Sequence, residues 1–260
     1  RNLSVHGQSI LPRTILRNVR AISRNIRTGR QEDAHEFLRY LIDGMHKSEL
    51  RGMKENQLPK SLLRTSFANQ IFSGELQSQV KCMACQHESN TFELFQDLSL
   101  EIHNCRSVED ALRRFTATEV LDADNMYRCE RCKRLSKARK RLTLSHTPPV
   151  LTVHLKRFDV FGRKINRPVE FKDLLHLQKY CSPKIRHQAQ EPYRLVGVLV
   201  HLGYSTRSGH YYSFVKGPTG VWYHMDDTSV SRVSQNRVFS QHAYILVYSR
   251  STELSAREVV

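Results

Sequence analysis

The sequence predicts an α+β fold, helices first and an antiparallel sheet last, on three observations. Apolar residues recur with helical spacing between residues 34 and 45. Five segments between residues 150 and 248 are crowded with β-branched and aromatic side chains. Between these halves, four of the six cysteines stand as two C-x-x-C pairs.

The elements follow in chain order. Leu11, Ile15, Val19, Ile22 and Ile26 fall on one side of an expected amphipathic helix over 12–27, and Arg13, Arg17, Arg20, Arg24 and Arg27 form a basic stripe opposite. A solvated face is the bland reading of that stripe, and a partner-binding face the alternative. Thr28-Gly29 breaks the pattern. Ala34, Phe37, Leu38, Leu41, Ile42 and Met45 then repeat at i, i+3, i+4, i+7, i+8 and i+11, which packs one helical face into a core. Gly52 and Pro59 mark a loop over 52–60. Strands are expected from Asn69 to Glu101, with the first C-x-x-C at a turn between them. Ser107-Val108-Glu109-Asp110 resembles a capping box opening a short helix through Phe115. After Pro148-Pro149 the expected strands are Val150–Leu155, Tyr193–His201, Tyr211–Val215, Val221–Met225 and Ala243–Tyr248.

Composition narrows the class. With 39% hydrophobic residues over 260 positions and a mean hydropathy of −0.52, the chain can bury a sizeable core. The longest apolar run, Leu195–Leu202, is broken by Gly197 and His201 and falls far short of the roughly 18 residues that cross a bilayer. No membrane partner is expected. The sequence opens on Arg1 and carries no signal-peptide pattern, so we expect a piece of a longer intracellular chain. The net charge of +16 is concentrated. Residues 1–30 hold seven arginines and no acid, and residues 128–141 hold eight Lys/Arg against Glu130. Such local basicity serves nucleic acid, an acidic partner or solubility.

Cys82-Met83-Ala84-Cys85 and Cys129-Glu130-Arg131-Cys132 are separated by 43 residues. Each spacing lets two thiolates reach one ion from a tight turn, and two such knuckles complete a tetrahedral four-sulfur zinc site. A closed site of that kind is structural, because it leaves no position for substrate. A redox pair is the competing reading, and no thioredoxin-like context supports it.

His210 follows a glycine and opens a strand, so its ring can project from a sheet edge into a cleft. Asp226 closes the next strand, after Trp222, which would bring its carboxylate beside the ring. A carboxylate there holds the imidazole in one tautomer and stabilises its cation. The imidazole can then activate a thiol. A lone Gly-His is more often structural.

Five stretches change that weighting: Gln31-Glu32-Asp33-Ala34-His35-Glu36-Phe37-Leu38; Leu155-Lys156-Arg157-Phe158; Gly203-Tyr204-Ser205; Gly209-His210-Tyr211-Tyr212-Ser213; and Trp222-Tyr223-His224-Met225-Asp226-Asp227. With the paired C-x-x-C, their order and spacing resemble the ubiquitin-specific protease family along essentially the whole chain. The resemblance implies a papain-like cysteine protease shaped as a hand, with helical thumb over 1–66, zinc-tipped β fingers and part of the palm over 67–147, palm over 148–250 and a tail over 251–260. It implies His210 as catalytic base and Asp226 as its orienting acid. Asp227 is the auxiliary group, on the expectation that neighbours on a strand face opposite ways. It implies ubiquitin and ubiquitinated proteins as partners. Asp33 and Glu36 would meet arginines of the ubiquitin tail, or simply stabilise the helix N-terminus. Phe158 and Tyr211 would line a narrow tail channel that admits only Gly-Gly before the scissile bond.

One part of the family pattern is missing. The nucleophile belongs to a Gly-Asn-Thr-Cys box upstream of the acidic motif, and no such box stands here; Cys105 and Cys181 have no matching context. The chain alone is therefore expected to be inactive. Two alternatives stay open: a ubiquitin-binding module without activity, and a basic zinc-containing nucleic-acid binder using residues 128–141. The motif wording and basic charge lean towards a nuclear or nucleolar branch of the family.

Overall fold

The structure is a computed structural model that describes residues 17–23, 26, 29–50, 59, 64–159, 162–205 and 208–250. The helix expected over 12–27 lies mostly outside these. Its described part is a four-residue turn, α1 (Val19–Ile22), which stops at Ser23 because that residue is extended. Arg17 and Arg20 are exposed there. The loop expected over 52–60 also lies outside the described residues except for Pro59.

The helical spacing from Ala34 becomes α2 (Ala34–Glu49). Asp33 starts it, its Oδ1 accepting from the backbone N–H groups of His35 (2.9 Å) and Glu36 (3.0 Å), donors that otherwise have no intrahelical partner. Its apolar face is less enclosed than the spacing predicts. Ile42 and His46 are buried, while Phe37, Leu38, Leu41 and Met45 are half-buried. The expected run of strands from Asn69 begins instead with a helix, α3 (Phe67–Phe72), because Ser66 caps it by accepting from Asn69 N at 3.3 Å. Ser66 Oγ also meets His46 Nδ1 at 2.7 Å, which ties α3 to α2.

A four-stranded sheet follows: β1 (Gly74–Cys82), β2 (Glu88–Phe95), β4 (Glu119–Leu121) and β7 (Ala138–His146), in the order β2-β1-β7-β4, antiparallel throughout. A small hairpin, β5 (Tyr127–Arg128) with β6 (Leu135–Ser136), forms a separate two-stranded sheet, and the N–H of Met83 at the end of β1 donates to Lys137 O just beyond it. The helix opened by Ser107 forms as α4 (Val108–Phe115), with Ser107 Oγ accepting from Asp110 N at 3.1 Å. The box is not reciprocal, since Asp110 turns to the N–H of Arg106 instead.

The five expected C-terminal strands form as β8 (Val150–Lys156), β10 (Tyr193–Ser205), β11 (Ser208–Lys216), β12 (Trp222–Asp226) and β14 (Ala243–Arg250), and β3 (Leu98–Glu101), β9 (Leu174–Leu175) and β13 (Ser229–Val233) join them in one eight-stranded sheet. The order is β13-β12-β11-β10-β14-β8-β3, with β9 on β10. The sheet is mixed rather than purely antiparallel, because β3 arrives beside β8 in parallel. Five consecutive residues of β8 are buried, as suits a strand covered on both faces. The core spans this sheet, α4 and the end of β7: Leu100, Leu112, Leu144, Leu155, Leu195, Phe214 and Tyr248 are all enclosed.

Candidate active site and metal centre

His210 and Asp226 come together because β11 and β12 are neighbours joined by a short connection. Asp226 Oδ1 lies 2.5 Å from His210 Nε2, with the side chains 43% and 37% exposed. The Asp226 hydrogen bond, then its charge and that of Asp227, raises the His210 pKa above the usual histidine value. Asp227 is not a strand residue facing away. It sits in the turn between β12 and β13 with φ +48°, and its carboxylate stays near the pair because the turn folds back over it.

The residue before His210 has to be glycine. Gly209 has φ +151°, and a Cβ there would lie 2.2 Å from Leu202 O and 2.4 Å from His201 Nε2. Its N–H donates to Gln31 Oε1 at 2.8 Å, linking the chain just before α2 to the histidine strand. His201 is buried beneath, and burial followed by the Lys164 charge lowers its pKa. Lys164 Nζ donates to the carbonyls of His201 (2.7 Å) and Gly203 (2.9 Å).

Asp33 joins the two halves. Beyond capping α2 through Oδ1, its Oδ2 accepts from Tyr244 OH at 2.6 Å and lies 3.3 Å from Tyr211 OH. Burial, then the Asp33 hydrogen bond, pushes the Tyr244 phenol far up; burial also raises Tyr211 to about 12. Glu36 is exposed and takes the Tyr40 hydroxyl at 2.6 Å. A groove of about 310 Å³ runs past Asp33, Glu36, His154, Lys156, Arg157, Phe158 and Tyr244. Phe158 packs against His201 and Tyr244, and the Tyr211 ring meets that of His201 at a tilt of 42° with centroids 4.6 Å apart.

Sequence reading missed a second polar cluster under this groove. His35 Nε2 meets Asp97 Oδ2 at 3.0 Å, and the His35 ring stacks on His154 with centroids 3.7 Å apart. Ser99 Oγ donates to Asp97 and sits 2.8 Å from His154 Nδ1. Desolvation, then the neighbouring His35, holds His154 down to about 4. Tyr244 was missed as well. Its place in a strand pattern gave no signal, since the carboxylate it meets is 211 residues away in the chain.

The four paired cysteines gather at the far end of the four-stranded sheet. Their sulfurs lie within 4.8 Å of one another, and Cys85 Sγ is 3.6 Å from Cys129 Sγ. The turns are built alike. Cys82 N donates to His87 O and Cys129 N to Arg134 O; Gln86 N returns to Cys82 O and Lys133 N to Cys129 O. Gln86 and Lys133 both take positive φ, +59° and +58°. Four sulfurs around zinc at about 2.3 Å would stand about 3.8 Å apart, so the donor set fits a tetrahedral ion. The backbone N–H of Cys85 favours the Cys82 thiolate, drawing its pKa to about 6. Cys105 and Cys181 are enclosed in the core, their thiols turned to backbone carbonyls, and burial pushes Cys181 up to about 11.

A family model described as "Ubiquitin carboxyl-terminal hydrolase" matches residues 2–248. The chain belongs to the ubiquitin carboxyl-terminal hydrolase family. Among curated members, ubiquitin carboxyl-terminal hydrolase 23 of Arabidopsis thaliana is 45% identical over 250 residues, covering 95% of this chain and 29% of that protein. Ubiquitin carboxyl-terminal hydrolase 42 of Homo sapiens is 41% identical over 255 residues, covering 97% and 19%. The probable hydrolase 16 of Schizosaccharomyces pombe is 42% identical, covering 95% and 53%. The chain thus spans about half or less of the length of these relatives. Among solved structures, the Ubp8 module of SAGA with Sgf11, Sus1 and Sgf73, bound to monoubiquitin, aligns with a TM-score of 0.76 and 32% identity over 88% of this chain and 50% of that one. The hydrolase fold and the α+β class expected from sequence are therefore those of this family.

Proposed function

We propose that this chain is the base-bearing portion of a deubiquitinating thiol hydrolase that cleaves after the C-terminal glycine of ubiquitin on protein conjugates. The observation that carries the reading is the His210–Asp226 pair, on a strand whose next residue, Tyr211, meets the Asp33 and Tyr244 that line the groove. His210 takes the proton of the attacking thiol and returns it to the leaving amine. Asp226 holds the ring by Nε2, which turns Nδ1 towards the thiol, and Asp227 supplements its charge. Phe158 and Tyr211 narrow the groove for a glycine tail, and Glu36 offers a carboxylate to a basic residue entering it. Asp33 acts chiefly by shaping the groove, since both its oxygens are engaged within the protein. Cys82, Cys85, Cys129 and Cys132 would hold one structural zinc, clamping strands whose outer ends lack a core of their own.

The thiol itself belongs to sequence of the longer protein, because Cys105 and Cys181 are enclosed and the other four cysteines form the metal cluster. A ubiquitin-vinyl probe tests this. The 260-residue chain should escape capture; the longer protein should be captured; and His210→Ala in it should block capture while ubiquitin still binds. Capture of the short chain at Cys105 or Cys181 would refute the assignment of the thiol. A longer protein that binds ubiquitin and is never captured would be the inactive binding module instead.

A further inference from the structure

We infer that the metal-bearing end of the four-stranded sheet docks an acidic protein segment that carries apolar side chains. Residues 119–141 hold eight Lys/Arg against four Asp/Glu, and the structure sets them at this tip. Within that stretch the one ion pair among the described residues is Lys137 with Asp122, at 3.8 Å. A surface built only for solubility intersperses both signs and pairs them. A zinc held by four thiolates carries −2, and the cations within the second knuckle offset it. That does not account for Arg128 or Arg139, which lie on strands outside the knuckle and form no ion pair among the described residues.

Apolar side chains stand among these cations at defined positions. Leu135, 62% exposed, is directly opposite Arg128 in the β5–β6 pair. Val120, 52% exposed, is directly opposite Arg139, whose partner on the other side is Lys81. Directly opposed residues share a sheet face with Cβ atoms about 5 Å apart, so Val120, Arg139 and Lys81 make one row across three strands. Exposed apolar groups flanked by arginines match a protein interface, where arginine is enriched beside a dry centre. A nucleic-acid backbone would use the cations and leave Leu135 and Val120 without a counterpart. The charge excess therefore selects an acidic partner, and the exposed Leu135 and Val120 select a protein one. This surface is separate from the groove beside His210, and it does not depend on the hydrolase reading.

The test uses the longer protein loaded with zinc and three labelled probes: a peptide in which glutamates alternate with leucines, a polyglutamate peptide of equal charge, and a short DNA duplex. The alternating peptide should bind most tightly. Arg128→Glu with Arg139→Glu should weaken both peptides by roughly tenfold or more and reduce their salt dependence. Leu135→Ser should remove the advantage of the alternating peptide and leave polyglutamate unchanged. Zinc content reports whether each variant keeps the tip folded, and Arg128→Gln with Arg139→Gln replaces the reversal if it does not. Tighter binding of the duplex than of either peptide would assign the patch to nucleic acid and overturn the inference. So would a Leu135→Ser variant with an intact preference, or no binding of any probe.

Discussion

Asp33 offers a sharp test, because the structure gives it three separable jobs. Its Oδ1 caps α2, its Oδ2 accepts from the buried Tyr244, and its charge faces the groove. Losing an N-cap costs about 1 kcal/mol, within a range of roughly 0.5–2. Leaving the enclosed Tyr244 hydroxyl without an acceptor costs a further 1–3 kcal/mol or so. Asp33→Ala should therefore destabilise by about 2–5 kcal/mol. Asp33→Ser keeps a capping oxygen but is too short for Tyr244, so about 1–3 kcal/mol is expected. Asp33→Asn keeps the cap, and its amide can donate to the tyrosine oxygens if their hydroxyls rotate, so the loss should stay near 1 kcal/mol. Urea unfolding, with the slope checked for constancy, orders the three. Ubiquitin affinity measured on the folded variants then isolates the charge. If Ala and Asn lose equal stability, the shared carboxylate is not what joins α2 to the tyrosines. If Asn is as stable as predicted but binds ubiquitin tenfold less tightly, the charge itself meets the tail.

Three further outcomes follow. Elemental analysis should find one zinc per chain; Cys129→Ser should release it and expose the sheet tip to proteolysis, and zinc retained after loss of both knuckles would sink the site. NMR titration should show His210 holding its proton to higher pH than an ordinary histidine; Asp226→Asn should lower that midpoint more than Asp227→Asn, and the reverse order would exchange their roles. His154 is held near 4 in the folded state but titrates near 6.5 when unfolded, so the unfolded chain binds the extra proton first as pH falls. Stability should decline from about pH 6.5 towards 4, by on the order of 3 kcal/mol from this group, and His154→Gln should flatten that decline in unfolding midpoints.

What was legible in the sequence is what is built over short chain distances. The knuckles are turns whose ligand spacing is their signature. The C-terminal strands carry their own β-rich composition, and Ser107 announces α4 by one side chain. Asn69 misled because a three-residue cue, the Ser66 cap, outweighed the β-rich stretch that follows it. Asp227 misled because strand alternation ends where a turn begins. The parallel pairing of β3 with β8 leaves no mark in either segment, since register between distant strands depends on what packs over them. The stacked His35 and His154 were invisible for the same reason: each reads as an ordinary member of its own helix or strand.

These two kinds of distance also divide the site. His210 and Asp226 are 16 residues apart on adjacent strands of one meander, so their contact survives wherever that meander folds. The groove is assembled across 178 to 211 residues, from α2 to β11 and β14, through a single carboxylate. A perturbation at Asp33 should therefore reach the groove without reaching the pair: the His210 titration midpoint stays in place while ubiquitin affinity falls. The converse holds for Asp226, whose loss should shift His210 and leave the tyrosine clasp of Asp33 intact. The Gln31–Gly209 hydrogen bond also ties the chain just before α2 to the histidine strand, beside the contacts of Asp33 and Ala34 with Tyr211.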